Sequence, residues 1–356
     1  MNNLLYLEAL SQVQTLFVTG ATGLVGSQVV LEALTRDYKV RALVRSRDPN
    51  RPLVLPSHPN LELVPGDLND SASWVGALRG VDVVVHAGAM VGDSGKADDY
   101  FRTNVSATLA LLHGAKNAKT VRRIILVSSL GVYHGRDHFG SDENVAINRE
   151  GLDAYTRSKA ECELRFLEEA KILGVSAVAI RPGFIYGPRD RTVVPRLLQR
   201  LAVGSLVYFG GGERKTNCIY VKNLSYGIFL AMDAENDMVN GLAFNLTDDP
   251  TATKREFLES LSREAGLPAP RASIPRPVAL TLAEISEFAA RIGLVKQPPV
   301  SKAAFKFLGL NLHYSIARAR KVLGYKPPYG YADGIKETIA WFRETGAIPL
   351  SKRGAS

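Results

Sequence analysis

The short apolar run Thr15 to Thr19 (TLFVT) leads directly into Gly20-Ala21-Thr22-Gly23-Leu24-Val25-Gly26, and a helical pattern then continues from Leu24 to Leu34. A strand, a glycine turn and a helix in that order constrain the chain more than any other feature. Glycines three apart supply backbone angles that side chains forbid, allow close approach to a pyrophosphate, and let the helix pack on the strand. Amides of the first helical turn then face the phosphates. Gly20, Thr22, Gly23, Leu24, Val25 and Gly26 are therefore the candidate dinucleotide cradle. A merely tight turn is the alternative, and the strand-turn-helix context weighs against it.

A second strand is expected at Lys39 to Val44, and further strands at Leu61 to Pro65, Val81 to His86, Ile124 to Ser128 and Ser176 to Arg181. Each is separated from the next by a stretch long enough for a helix, which describes a parallel, doubly wound α/β sheet of Rossmann type. Near-continuous apolar runs such as VDVVVHA and RRIILVSS suit strands buried on both faces. After Pro188 the texture changes: Gly210-Gly211-Gly212, Pro268, Pro270, Pro275, Pro277 and Pro298-Pro299 punctuate helical stretches. The expected organisation is an extension over residues 1–14, a Rossmann domain over 15–188, and a smaller C-terminal substrate lobe over 189–350, with about 217–247 returning to the first domain.

With 356 residues, 46% hydrophobic and 22% charged, the chain has an ordinary globular composition. The net charge of +9 is dispersed, with a loose concentration at Arg41, Arg45, Arg47 and Arg51, which suits a phosphorylated small molecule better than nucleic acid. Cys162 and Cys218 lie far apart, without metal-ligand spacing, so no metal and a reducing, cytoplasmic setting are expected. Met1 to Gln14 lacks a basic n-region and a cleavage site, and reads as a short helix or loose extension rather than a secretory signal. No run of eighteen or so apolar residues suggests a spanning helix, which leaves peripheral membrane contact open.

The second strand should deliver the residue that meets the adenosine ribose, where an acid would select NAD(H). The run is Ala42-Leu43-Val44-Arg45, and the Arg45 guanidinium suits a 2′-phosphate, favouring NADP(H). A solvated surface arginine is the alternative. Asp67, in Gly66-Asp67-Leu68, either reaches the adenine amino group or caps its own turn.

Tyr155 and Lys159 stand four apart on a helical stretch, hence on one face. A nearby ammonium favours the phenolate, so Tyr155 becomes a candidate proton exchanger. Ser128-Ser129 ends a strand at the carboxyl edge of the sheet, where ligands of open α/β sheets bind. Ser129 is the candidate to hydrogen-bond a substrate oxygen, while Ser128 faces the sheet or the cofactor. Asn104, in the helical stretch Tyr100 to His113, either ties the lysine to a water chain or is a packed asparagine. The stretch Val278 to Leu294 either packs within the lobe or roofs an apolar pocket.

The ordered series TGATGLVG, GDL, HAGA, SS, YTRSK and RPGFIYGP resembles the extended short-chain dehydrogenase/reductase superfamily over most of the chain. The resemblance implies Tyr155 as general acid/base, Lys159 holding the ribose and lowering the tyrosine pKa, Ser129 orienting substrate and Asn104 supporting the relay. It further implies that Leu68, Ala87, Gly88 and Ala89 line the cofactor and that Pro182 and Gly183 pass near the nicotinamide. Ile219 to Leu224 and Tyr314 to Tyr325 look like the 3β-hydroxysteroid and sterol-4α-carboxylate dehydrogenase branch. Lys222, where the family often carries an acid, departs from pattern. A homodimer is expected from the family alone.

These readings converge on hydride transfer between the nicotinamide and a secondary alcohol or ketone of a small, apolar, steroid-like substrate. Two alternatives stand beside it. A nucleotide-sugar epimerase or dehydratase would use Arg189, Arg191, Arg196 and Arg214 for a diphosphate. A cofactor-sensing protein would need no catalytic residues, against which the presence of Ser129, Tyr155 and Lys159 argues.

Overall fold

A computed structural model describes residues 14–45, 55–92, 95–292, 294 and 302–346. The readings of Met1 to Val13, of Arg47 and Arg51, and of Pro298-Pro299 lie outside the described residues.

The described residues of 1–132, 147–181 and 228–244 form one compact unit, and those of 133–146, 182–227 and 245–346 form a second. The central sheet has seven strands: β1 (Thr15–Thr19), β2 (Lys39–Val44), β3 (Leu61–Pro65), β4 (Val83–His86), β5 (Arg123–Val127), β6 (Ala177–Pro182) and β7 (Ala243–Leu246), in the order β7-β6-β5-β4-β1-β2-β3. The pairings from β3 through to β6 are parallel. Register explains why apolar runs became strands. Phe17 pairs with Val84, Val84 with Ile124, and Ile124 with Ala177, so one row of apolar side chains crosses four strands. That row is buried together with Leu111 and Leu112 of α2 (Ala107–Ala118) and Phe166 of α3 (Ala154–Leu173). Each such side chain contributes about 1.5–3 kcal/mol by leaving water.

Strand ends move by one or two residues from expectation, with local causes. Val81 stays outside β4 because its amide bonds Leu78 O in a turn, and Asp82, whose amide reaches Thr15 O of β1, leads into the strand. Arg123 begins β5 although charged: it is buried, and its guanidinium donates to the carbonyls of Ala231, Met232 and Ala234. The expected single helix from Tyr100 to His113 is instead a short helix Ala97–Phe101, a π-helical turn Arg102–Ser106, and α2.

The second unit is helical, with three small two-stranded pairs rather than a large sheet. Its helices include α4 (Lys254–Ala265) and α5 (Arg276–Arg291). α4 starts on a capping box in which Thr253 and Glu256 bond each other's backbone amides. In the stretch Val278 to Leu294 the small side chains are the buried ones. Ala279 and Ala283 of α5 are fully buried, whereas Val278, Leu282, Ile285, Phe288 and Ile292 are 41–64% exposed.

Candidate cofactor and catalytic site

α1 (Leu24–Thr35) begins at Leu24 with Gly23 as its N-cap, no side-chain cap and no acid in its first turn. Its leading amides are thus left for an outside acceptor, and an acid that would repel phosphate is missing from that turn. Two glycines make the cradle possible. Gly20 has φ +65°, and a Cβ there would lie 2.7 Å from the backbone of Ala87 and Gly88. At Gly26 a Cβ would lie 2.2 Å from Gly20 O. These features fit a pyrophosphate lying on backbone.

Beneath the cradle runs a buried polar chain. Thr19 Oγ1 accepts the Gly88 amide at 3.1 Å and shares a 2.6 Å hydrogen bond with His86 Nδ1. His86 Nε2 meets Thr108 Oγ1 at 2.8 Å. Burial, reinforced by the nearby Lys159 charge, pushes His86 down to about 3, so it is neutral. Thr22 and Gly23 are exposed, while Leu24, Val25, Ala87, Gly88 and Ala89 are partly exposed. Leu68 is partly exposed too, with its Cδ2 3.1 Å from where a Gly88 Cβ would stand. Arg45 is exposed just past β2. Asp67 takes the turn-capping alternative, accepting from the Asn69 backbone amide at 2.8 Å and from Asn69 Nδ2.

α3 positions the catalytic candidates. Asp153 caps it, accepting the Thr156 amide at 2.7 Å, and Tyr155 follows in the first turn. Tyr155 keeps part of its surface accessible, yet its phenol is densely surrounded, and burial pushes it up to about 12 against the opposing hydrogen bond with Ser129. Ser129 also accepts the Gly131 amide at 2.9 Å. Tyr100 stands edge-on to Tyr155, ring centroids 6.4 Å apart.

Lys159 and Asn104 each have partners within the first unit. Lys159 is buried and donates through Nζ to Val127 O at 2.7 Å. Ser129 is the neighbour that most favours the phenolate of Tyr155. Asn104 does not reach the lysine through its side chain. Its Oδ1 accepts the Met90 amide at 2.7 Å, and its Nδ2 donates to Met90 O at 3.0 Å and to Ser158 Oγ at 2.9 Å. It therefore clamps the segment after β4 against α3. Pro182 and Gly183 belong to the second unit, where a Cβ on Gly183 would lie 1.6 Å from Asn217 O. Lys222 is explained by its partners: it pairs with Glu337 at 2.6 Å and lies over the Tyr329 ring.

Glu163 and Arg181 went unnoticed in the sequence. Glu163 is fully buried one turn beyond Lys159, paired with Arg181 Nη2 at 2.5 Å and Nε at 2.9 Å, and it accepts from Ser128 Oγ at 2.5 Å. One carboxylate thus ties α3 to β6 and to the end of β5, next to the residues that carry Tyr155, Lys159 and Ser129. The signal was present: Glu163 follows Tyr155 by eight and Lys159 by four, on the same helical face.

Residues 16–247 match the NAD dependent epimerase/dehydratase family. The chain belongs to that family. The chain is 29% identical over 336 residues to a 3 beta-hydroxysteroid dehydrogenase/Delta 5→4-isomerase of Mycobacterium tuberculosis, covering 91% of this chain and 89% of that one. It is also 29% identical to a 2-alkyl-3-oxoalkanoate reductase of Stenotrophomonas maltophilia, covering 91% of this chain and 98% of the relative. Among solved structures, that of gox2253 matches with a TM-score of 0.77 and 28% identity, over 95% of this chain and 100% of the other. Relatives named as dehydrogenases and reductases along almost the whole chain bear out the oxidoreductase reading and the family resemblance. No helix of the described residues is long and apolar enough to cross a membrane.

Proposed function

We propose that this family member is an NADP(H)-preferring oxidoreductase that interconverts a secondary alcohol and a ketone on an apolar, steroid-like or alkyl-chain substrate. The observation that carries the reading is the placement of Tyr155 close enough to Ser129, at the carboxyl edge of β5, for the serine to favour its phenolate, with Lys159 held one helical turn further along α3. A bound nicotinamide supplies or accepts the hydride.

The chain's own residues do the rest. The amides at the start of α1, freed by Gly20 and Gly26, hold the pyrophosphate. Arg45 offers a planar fork to a 2′-phosphate. Ser129 orients the substrate oxygen, and Tyr155 gives or takes its proton at the phenol oxygen. A phenol held near pKa 12 by burial is a weak acid, so the proton moves only as charge develops on the substrate oxygen beside it. Asn104 acts by holding the Met90 segment. Leu68, Ala87, Gly88 and Ala89 of the first unit complete the cofactor's surroundings. The names of the two relatives, one a hydroxysteroid dehydrogenase and the other an oxoalkanoate reductase, support an apolar substrate. A cytoplasmic homodimer with peripheral membrane contact belongs to the same reading, and sedimentation with and without lipid vesicles measures both associations.

The test is oxidation of NADPH and NADH with steroid, alkyl-ketone and sugar-nucleotide substrates. Turnover of an apolar ketone, lowered roughly 10²- to 10⁴-fold in Tyr155→Phe, is expected. Arg45→Ala should weaken NADPH about 10- to 100-fold and leave NADH unchanged, the loss of one or two charge-assisted hydrogen bonds. Interconversion of sugar nucleotides without net change in cofactor would overturn the proposal.

A further inference from the structure

The second unit buries a lysine whose ammonium makes no hydrogen bond among the described residues. Lys254, first residue of α4, is 1% exposed, and its Nζ has no hydrogen-bond partner among the described residues. Around it stand the face of Phe307, with Nζ 5.4 Å from the ring centroid, the Cys218 thiol, and the Asp137 carboxylate. Asp137 is already committed: it accepts from Arg276 Nη2 of α5 at 2.8 Å and from the Asn311 amide at 2.8 Å. Next to Cys218, the Oδ1 of Asn217 is also buried without a donor. Phe307 in turn meets Phe184 edge-on at 4.4 Å.

Such a position is among the costliest a lysine can occupy. Burial strips the ammonium of water, and the first turn of a helix adds the positive end of the macrodipole. Burial has accordingly drawn Lys254 down to about 7, with Cys218 and Asp137 acting in the other direction. A methionine or leucine would fill the same space beside Phe307 without that penalty. The lysine is accounted for if an anion completes it.

We propose that Lys254 is an anion subsite of the second unit, and that it receives the carboxylate of an otherwise apolar ligand whose carbon chain lies against Phe307 and Phe184. This deepens the function proposed above by assigning its substrate an acid group. It rests on that reading only for the ligand's being a substrate. The subsite itself requires binding alone. Because Lys254 is partly neutral near pH 7, carboxylate binding takes up a proton. Affinity therefore falls as pH rises above 7, by up to about tenfold per unit.

Calorimetric titration of the full chain with dodecanoate, and with dodecanol as the uncharged control, tests this at pH 6, 7, 8 and 9. Dodecanoate should bind with the stated pH dependence and with proton uptake visible between buffers of different ionisation enthalpy. Lys254→Met should weaken dodecanoate at least tenfold, abolish the uptake and leave dodecanol unaffected. Lys254→Arg, which stays charged, should bind without the alkaline decline, and it keeps the test valid if the methionine variant folds poorly. Equal dodecanoate affinity in wild type and variants, or no binding to any of them, overturns the proposal. So does uridine diphosphate binding that depends on Lys254, which would assign the subsite to a diphosphate. Turnover is not needed: dodecanoate bound as expected by a protein that reduces no ketone would sink the oxidoreductase reading and leave the subsite standing.

Discussion

Glu163 in the first unit and Lys254 in the second are both buried ions, held in opposite ways. Glu163 has Arg181 and Ser128 as partners, and in the same unit the buried His86, Thr19, Thr108 and Asn104 are likewise bonded. Among the described residues, buried side-chain nitrogen and oxygen atoms without a partner fall in the second unit, Asn217, Ser225 and Lys254 among them. Among its described residues the first unit has no such atom, as suits a scaffold that holds catalytic atoms in place without reorganising. The second leaves polar groups open, the state expected of a region that a ligand completes.

The largest effect that would sharpen this contrast is in the first unit. Glu163→Gln removes the buried negative charge that faces the Arg181 guanidinium, and should cost about 3–5 kcal/mol in denaturant unfolding. Replacing both partners, as Glu163→Leu with Arg181→Met, should cost much less. If the single variant loses under about 1 kcal/mol, the pair is not the structural tie described above.

In the second unit the sign reverses. The folded pKa of Lys254, about 7, lies below its unfolded value near 10.5, so between those pH values the unfolded chain binds a proton that the folded chain does not. Wild-type stability should therefore rise from pH 7 toward pH 10, and the full penalty should apply below 7. Ligand-free Lys254→Met should be the more stable protein at pH 7 by a few kcal/mol, with the gap closing as pH rises. A melting temperature below wild type at every pH would show that the lysine is already satisfied. The smallest effect belongs to α5, where Ile285→Lys should change monomer stability by less than about 0.5 kcal/mol because its side chain is mostly exposed. A loss of several kcal/mol would mean that the outward apolar face is covered.

Legibility in the sequence follows the same division. β1 coincides with its apolar run because a strand buried on both faces has little else to be made of. Tyr155, Lys159 and Ser129 were legible because helical spacing and a strand end are local facts. Asp67 and Asn104 were not, since each has several local uses and only the fold selects among them. In the second unit, strands such as Ile185–Tyr186 and Tyr208–Phe209 are too short to show a period. Lys254 was hidden by its composition: lysine in a polar helix start, Thr253-Lys254-Arg255-Glu256, reads as solvated surface, and only the packing of Phe307 above it shows otherwise.

The π-helical turn at Arg102–Ser106 behaves as one extra residue threaded into an otherwise regular helix. Deleting a single residue there would let the helix close normally, and would turn everything upstream by about 100° relative to α2. Tyr100 would swing off both Tyr155 and the Gly92 carbonyl that its hydroxyl meets at 2.6 Å. The segment is therefore a counting device: it tolerates changes in what its residues are better than a change in how many there are.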